Sequence, residues 1–206
     1  MKKFITLLSI LILSFLLCSC NTKEASLFYN SIDKYEGFDI ATNKISNCCF
    51  VGMYSCEQYT DNMEITIPDE YNNIPIERIG GYYGTGVPTP FQIYVNEFIN
   101  APEDSRYNGV FTSHPDNFNL TDKYTIKDVS FTLRIGKNIN SIVYVIKDCY
   151  YPYINEDSSI TFYHPVVEII CSNDNEHFYS KDGKLYNKDT DELVTNFSYK
   201  NNSNES

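Results

Sequence analysis

The sequence predicts a mainly β protein with short strands, long loops and little helix. Between residues 38 and 197, short apolar alternations rich in Ile, Val, Tyr, Phe and Thr are separated by clusters of Asn, Asp, Gly and Pro, a pattern typical of strands joined by turns. No segment keeps an apolar stripe at helical spacing for three turns, and residues 96–99 allow one turn at most. Apolar residues are 42% of the 206 and aromatic residues 15%, which excludes a disordered chain.

Five segments carry the strand signal in chain order: 64–67, 91–95, 129–135, 141–146 and 166–171. Residues 177–186 then predict a β-hairpin, because Asp182-Gly183 at their centre tolerates positive φ at both positions of a type I′ turn. A two-residue loop pairs Lys181 with Lys184, Ser180 with Leu185 and Tyr179 with Tyr186. The facing lysines repel weakly, which suits an exposed hairpin tip.

The N-terminal residues predict an export signal and a lipid anchor. Two lysines precede the mostly apolar run 4–17, which as a helix would be about 21 Å long, shorter than the roughly 30 Å of a bilayer core. The run ends in Leu17-Cys18-Ser19-Cys20, which resembles the bacterial lipobox. The resemblance implies a bacterial source, cleavage between Ser19 and Cys20, and fatty acyl chains such as palmitate on Cys20. An uncleaved anchor helix or ordinary secretion is the alternative.

The net charge of the chain limits which classes of macromolecule it can bind. The net charge is −11, and cleavage after Ser19 removes two lysines and no acid, so the mature charge becomes −13. The chain has no Lys/Arg cluster of the kind that binds phosphates, which excludes a nucleic-acid partner. The sequence therefore predicts an extracytoplasmic protein that is attached to a bilayer through acylated Cys20. Its acidic body should be repelled from an anionic leaflet.

The predicted organisation has four parts. Residues 1–19 are the lipoprotein signal peptide, 20–37 the lipidated cysteine and a polar tether, 38–197 a single β-rich domain, and 198–206 a disordered tail.

Three segments of the predicted domain look like one repeating module. Residues 65–80 (ITIPDEYNNIPIERIG), 133–142 (LRIGKNINSI) and 167–194 (VEIICSNDNEHFYSKDGKLYNKDTDELV) resemble the repeats and the closing unit of BspA-type leucine-rich-repeat surface proteins. The resemblance implies two or three degenerate, stacked coils, a solenoid fragment whose units bury their apolar faces only against one another. It also implies a binding or adhesion role at the cell surface, without enzymatic activity.

The cysteines give no metal or cofactor signal. Of the seven cysteines, five remain once cleavage removes Cys18 and Cys20 is acylated. This odd number permits two disulfides at most, and the spacing lacks the paired C-x-x-C of a zinc site. We expect buried thiols that pack as small hydrophobic groups. These cysteines are Cys48, Cys49, Cys56, Cys149 and Cys171.

Other candidate chemistry is sparse. His114, His164 and His177 are isolated in sequence, and a Cys149–His164 nucleophile pair has no flanking signature. Loops 173–176 and 189–191 are acidic but lack the ligand spacing of a calcium loop. The Gly-rich segment 80–86 is not a phosphate loop, because no Lys-Ser/Thr follows it.

The same Gly-rich segment admits two interpretations. It is either a wide, flexible turn or a loop that displays Tyr82 and Tyr83 to a ligand.

The sequence thus favours a membrane-anchored surface lipoprotein that acts as a binding module for a protein or glycan, with no catalysis and no cofactor. An anchored hydrolase with a Cys/His or carboxylate pair, or a purely structural envelope lipoprotein, is the alternative.

Overall fold

The protein is mainly β. A computed structural model describes residues 29–43, 46–83, 87–101, 107, 109–118, 120 and 123–200. In these ranges the only helical segments are two short 3₁₀ helices, Asn96–Phe98 and Pro115–Phe118, so the predicted fold class is confirmed at this level. Neither segment has the length and apolar character needed to span a membrane.

The described ranges contain fifteen strands. They are β1 (Tyr29–Tyr35), β2 (Phe38–Asn43), β3 (Cys48–Cys56), β4 (Met63–Thr66), β5 (Glu70–Tyr71), β6 (Ile74–Ile79), β7 (Gly81–Tyr83), β8 (Val87–Thr89), β9 (Ile93–Val95), β10 (Tyr124–Ile135), β11 (Ser141–Ile142), β12 (Tyr151–Ile154), β13 (Ile160–Cys171), β14 (Phe178–Lys181) and β15 (Lys184–Asn187).

Two mixed sheets form the body. The larger has the order β1-β2-β3-β6-β11, with β9 beside β3 and β5 beside β6. Its first three strands pair antiparallel, whereas β3, β6 and β11 pair parallel. The smaller sheet has the order β12-β13-β10-β4, in which β13, β10 and β4 are parallel and β12 is antiparallel. The pairs β7–β8 and β14–β15 are separate hairpins.

The three segments that carry the repeat resemblance lie side by side. Ile65 of β4 pairs with Leu133 of β10, which pairs with Ile169 of β13, and all three side chains are buried. In the larger sheet, Ile142 likewise pairs with Ile79 in a parallel register. The parallel strands are interrupted by antiparallel partners and hairpins, and no regular solenoid is identified in the described part of the chain.

The two faces of β13 pack against different cores because side chains alternate along a strand. Val167, Ile169 and Cys171 belong to the main core, which lies on one face. Ile160 and Phe162 belong to a smaller aromatic core on the opposite face. This second face positions the candidate site described below.

The hairpin β14–β15 confirms the predicted register. Lys181 pairs with Lys184, Ser180 with Leu185 and Tyr179 with Tyr186. Asp182 and Gly183 both have positive φ, 52° and 73°, as a type I′ turn requires.

Two predicted domain boundaries are wrong. Residues 29–35, assigned to the tether 20–37, form β1 and pair with β2. A tight turn at Glu36 and Gly37, with φ of 50° and 85°, joins β1 to β2. The sequence of β1 is polar, and it therefore resembles a tether more than a strand.

At the other end, Ser198–Lys200 are ordered, although the tail 198–206 was predicted to be disordered. The Val167 N–H donates to the Ser198 carbonyl and the Lys200 N–H donates to the Val167 carbonyl. This part of the tail therefore completes the edge of β13, and residues 201–206 lie outside the described ranges.

Candidate functional site

The best-developed polar cluster lies on the face of β10 and β13 that is opposite the main core. Asp128 and His164 are register partners in the parallel pair, and His164 Nδ1 lies 2.9 Å from Asp128 Oδ1. Since the carboxylate accepts, Nδ1 carries the proton of this bond in the neutral imidazole as well as in the imidazolium. Asp128 therefore fixes the orientation of the ring. We call the cluster of His114, Asp116, Asp128, Tyr150 and His164 the His–Tyr site.

Tyr150 joins two histidines that are far apart in sequence. Its ring stacks on His164, with centroids 4.6 Å apart and planes inclined by 13°, and the edge of His114 meets it at 5.5 Å and 74°. The backbone of Tyr150 bonds in both directions to Phe111, which brings the 111–118 segment over the sheet. The short 3₁₀ helix that follows then places His114 and Asp116 beside the ring.

The outer side of the site is polar and accessible. His114 Nδ1 lies 3.3 Å from an Asp116 carboxylate oxygen, and Asp116 also accepts a hydrogen bond from the Tyr124 hydroxyl. The side chain of Asp116 is 72% exposed, that of Asp128 54% and that of His114 45%. His164 is only 13% exposed, and its Nε2 is buried with no hydrogen-bond partner in the described residues. Ligand contacts at this site would thus come first from the two carboxylates and His114.

Burial raises the pKa of Tyr150, and the negative charges of Asp148 and Asp128 raise it further. The phenol therefore stays protonated through the physiological range. Tyr150 acts as a neutral aromatic support with a hydroxyl donor, and it has no role as a base.

A cleft of about 310 Å³ lies close to the site. Two of its lining residues, Thr112 and Asp148, are two positions along the chain from His114 and Tyr150, which limits their Cα separation to about 7 Å. Its lining combines a cation, a carboxylate, a hydroxyl and apolar surface, a composition that suits a small polar group of a ligand. The lining residues are Thr112, Tyr144, Val145, Ile146, Lys147 and Asp148.

The structure does not bring Cys149 and His164 together as a nucleophile pair. Cys149 precedes Tyr150, and successive side chains point to opposite faces, so its thiol belongs to the main core. The thiol donates to the Ile146 carbonyl at 3.4 Å. Burial raises its pKa to about 12, so the thiolate that a nucleophile requires is not formed near neutral pH.

The other predicted chemical groups remain apart. All five described cysteines have free thiols, and no three metal-ligating side chains converge within the ranges that the structure covers. That statement includes the acidic loops 173–176 and 189–191. In the first loop Asn175 is fully buried, and in the second Asp191 accepts a hydrogen bond from Tyr179.

Two of the remaining predicted site residues, Tyr82 and Tyr83, lie in hairpin β7–β8. The backbone of Tyr82 and Tyr83 forms β7, which pairs with Val87–Thr89. This part of the Gly-rich segment is therefore a strand of a β-hairpin and not a wide turn. Its tip, residues 84–86, lies outside the described ranges, as do Ser19 and Cys20. Ligand display by Tyr82 and Tyr83, and lipidation of Cys20, stay predictions.

Sequence reasoning missed three members of the site: Asp116, Asp128 and Tyr150. Strand alternation along 124–135 separates Asp128 from the apolar face that carries Phe131 and Leu133, and that signal was available. The register that pairs Asp128 with His164 joins residues 36 positions apart, and no local pattern specifies it.

We compared the chain with protein-family models, with curated proteins and with solved structures, and none of the three comparisons found a match.

Proposed function

We propose that this chain is a lipoprotein held outside the cytosol by acylated Cys20, and that its β-rich body is a binding module without catalytic activity. The observation that carries the binding proposal is the His–Tyr site: two exposed carboxylates and an imidazole gathered around one buried aromatic ring, beside an open cleft. Such a surface offers hydrogen-bond acceptors and donors in fixed positions.

The chemistry of these groups favours a glycan as the ligand. Sugar hydroxyls donate to carboxylates such as Asp116 and Asp128 and accept from His114 and the Lys147 ammonium. Asp128 bonds to His164, and Asp116 accepts from Tyr124 and lies 3.3 Å from His114. A carboxylate can accept more hydrogen bonds than these. A protein ligand that presents hydroxyl or amide groups is the alternative, and the experiment below separates the two.

A hydrolytic role has little support. The Asp128–His164 pair resembles the orienting half of a catalytic triad, but no nucleophilic hydroxyl or thiol is hydrogen-bonded to His164 in the described residues. The Cys149 thiol, the nucleophile candidate in the sequence, is buried with a raised pKa.

The repeat resemblance enters the proposal at the level of architecture. The parallel pairing of Ile65, Leu133 and Ile169 supports the interpretation that residues 65–80, 133–142 and 167–194 are degenerate stacked units. The segment around Phe111 and His114 is then an insertion that builds the site on the outside of the stack.

The proposal is tested with the full-length protein in detergent on an array of neutral and charged glycans, followed by affinity measurement on the best binder. His114→Gln with Asp128→Asn should weaken binding about tenfold or more, because each change removes a hydrogen bond that involves a charged or ionisable group. Glu176→Gln with His177→Gln is the matched control, since both residues are exposed and each pair changes one carboxylate to its amide and one histidine to glutamine.

Equal weakening in both double variants would contradict the assignment of the site. An array without binders, together with binding of a peptide library that depends on His114 and Asp128, would replace the glycan with a protein. No binder of either class would favour a structural envelope lipoprotein and reject the proposed function.

A further inference from the structure

The outward face of hairpin β14–β15 is a second surface that the proposed function does not use. Phe178 and Leu185 are buried on the inward face of the hairpin. Tyr179, Tyr186, Lys181 and Lys184 alternate with them and share the outward face, because each is the register partner of another member of the group.

The two tyrosines form a fixed aromatic platform. Their rings stack with centroids 5.3 Å apart and planes inclined by 18°. The Tyr179 hydroxyl donates to Asp191, and this hydrogen bond is the largest cause of the raised pKa of Tyr179. The ring is therefore neutral and held in place, and little side-chain entropy remains to be lost when a ligand covers it.

The two lysines form no ion pair with the described residues. Lys181 and Lys184 are directly opposite each other at the tip, and like charges in this arrangement repel. Within the described residues no carboxylate lies within 4 Å of either ammonium. The chain as a whole has 27 acidic and 16 basic side chains. An anionic group placed between the two ammoniums would remove the repulsion and form two charge-assisted contacts.

We propose that this face, which we call the Tyr–Lys face, binds an acidic polysaccharide. Carboxylate or sulfate groups of the polymer contact Lys181 and Lys184, and a sugar ring packs against Tyr179 and Tyr186. The same polymer chemistry is found in carboxylated and in sulfated glycans, so both belong to the proposal.

Other polyanions fit this surface less well. An anionic bilayer is an extended charged plane that faces the whole acidic body, whose net charge is −13 once residues 1–19 are removed, whereas a single polymer strand contacts only the hairpin. Nucleic acids require many more phosphate contacts than two lysines supply.

The Tyr–Lys face is independent of the His–Tyr site. Gly183, in the hairpin turn, accepts a hydrogen bond from Ile169 near the end of β13, whereas His164 lies in the first half of that strand. A variant that abolishes binding at one of the two surfaces should therefore leave binding at the other unchanged.

The test measures binding of the full-length protein in detergent to dextran sulfate and to polygalacturonate, with neutral dextran as the blank. Wild-type protein should bind at least one acidic polymer, with affinity that falls as salt rises. Lys181→Gln with Lys184→Gln should weaken binding about tenfold, since each exposed ion pair contributes a factor of a few. Tyr179→Ala with Tyr186→Ala should weaken it by a similar factor at all salt concentrations.

The control is Lys123→Gln with Lys137→Gln, which changes the net charge equally at two exposed lysines elsewhere. Equal weakening by both lysine pairs would show a general charge effect and overturn the proposal, as would absence of binding to both acidic polymers. Binding to anionic vesicles that depends on Lys181 and Lys184, without binding to either polymer, would also overturn it and assign the face to a membrane.

Discussion

Asn175→Ala removes a buried amide that joins the closing segment of the fold to the loop that follows β10. Asn175 is 0% exposed. Its Nδ2 donates to the carbonyls of Gly136 and Ile139, each at 2.8 Å. Its Oδ1 accepts from the backbone N–H groups of His177 at 2.9 Å and Phe178 at 2.8 Å. One side chain thus satisfies four backbone groups.

The magnitude follows from that count. A hydrogen bond contributes about 1 kcal/mol net to folding, and a buried group that loses its partner costs at least as much. Removal of four such bonds should lower the free energy of unfolding by about 4 kcal/mol, a large share of the roughly 5–15 kcal/mol that a domain has.

Urea unfolding followed by far-UV circular dichroism gives this free energy directly. The control is Asn173→Ala, since Asn173 is exposed in the same turn, and it should change stability by less than about 0.5 kcal/mol. A loss below about 1 kcal/mol for Asn175→Ala, or equal losses in the two variants, would refute the assignment of four effective hydrogen bonds.

Three further predictions concern single residues. Gly80→Ala should cost about 3 kcal/mol or more in urea unfolding, because the new Cβ would lie 1.8 Å from the Tyr144 carbonyl oxygen; Gly183→Ala, at a similar φ but facing a flexible side chain, should cost only about 1–2 kcal/mol. Iodoacetamide should label Cys149 only after unfolding, because the thiol is buried. Cys149→Ala should reduce the loss of stability in alkali, because the pKa of this thiol is about 12 in the folded protein and near its ordinary value of 9.0 in the unfolded chain. Cys20→Ser should abolish acylation and thereby release the protein from the membrane fraction. Intact-mass spectrometry should show the mass of the acyl chains on the wild-type protein and not on the variant, and the same added mass on both proteins would contradict the anchor.

The alkaline prediction has a defined sign. Burial raises the folded pKa of the Cys149 thiol, so the neutral form is favoured by folding. The associated stability is fully present below the unfolded pKa and is lost as pH rises through the folded value. Labelling of Cys149 in the native protein at a rate equal to that of a free thiol would contradict its burial.

The hairpin at 177–186 shows what local chemistry determines. Asp182-Gly183 fixes a two-residue turn, and the turn fixes the pairing of Tyr179 with Tyr186 without help from the rest of the chain. The hairpin at Glu36-Gly37 depends on the same local geometry, but β1 lacks an apolar alternation, and the sequence therefore gave no sign of a strand. Turn residues therefore predict a hairpin only where the flanking residues alternate between apolar and polar side chains.

The sequence by itself determined the β class and the register of hairpin β14–β15, because each depends on composition or on residues a few positions apart. Only the tertiary structure brought Asp128 to His164 and placed Tyr150 between His164 and His114. These contacts depend on a parallel register between distant strands and on closure of the long 136–159 connection. The free energy of that register comes from burial of Leu133 and Ile169, and the polar residues on the opposite face are placed as a consequence.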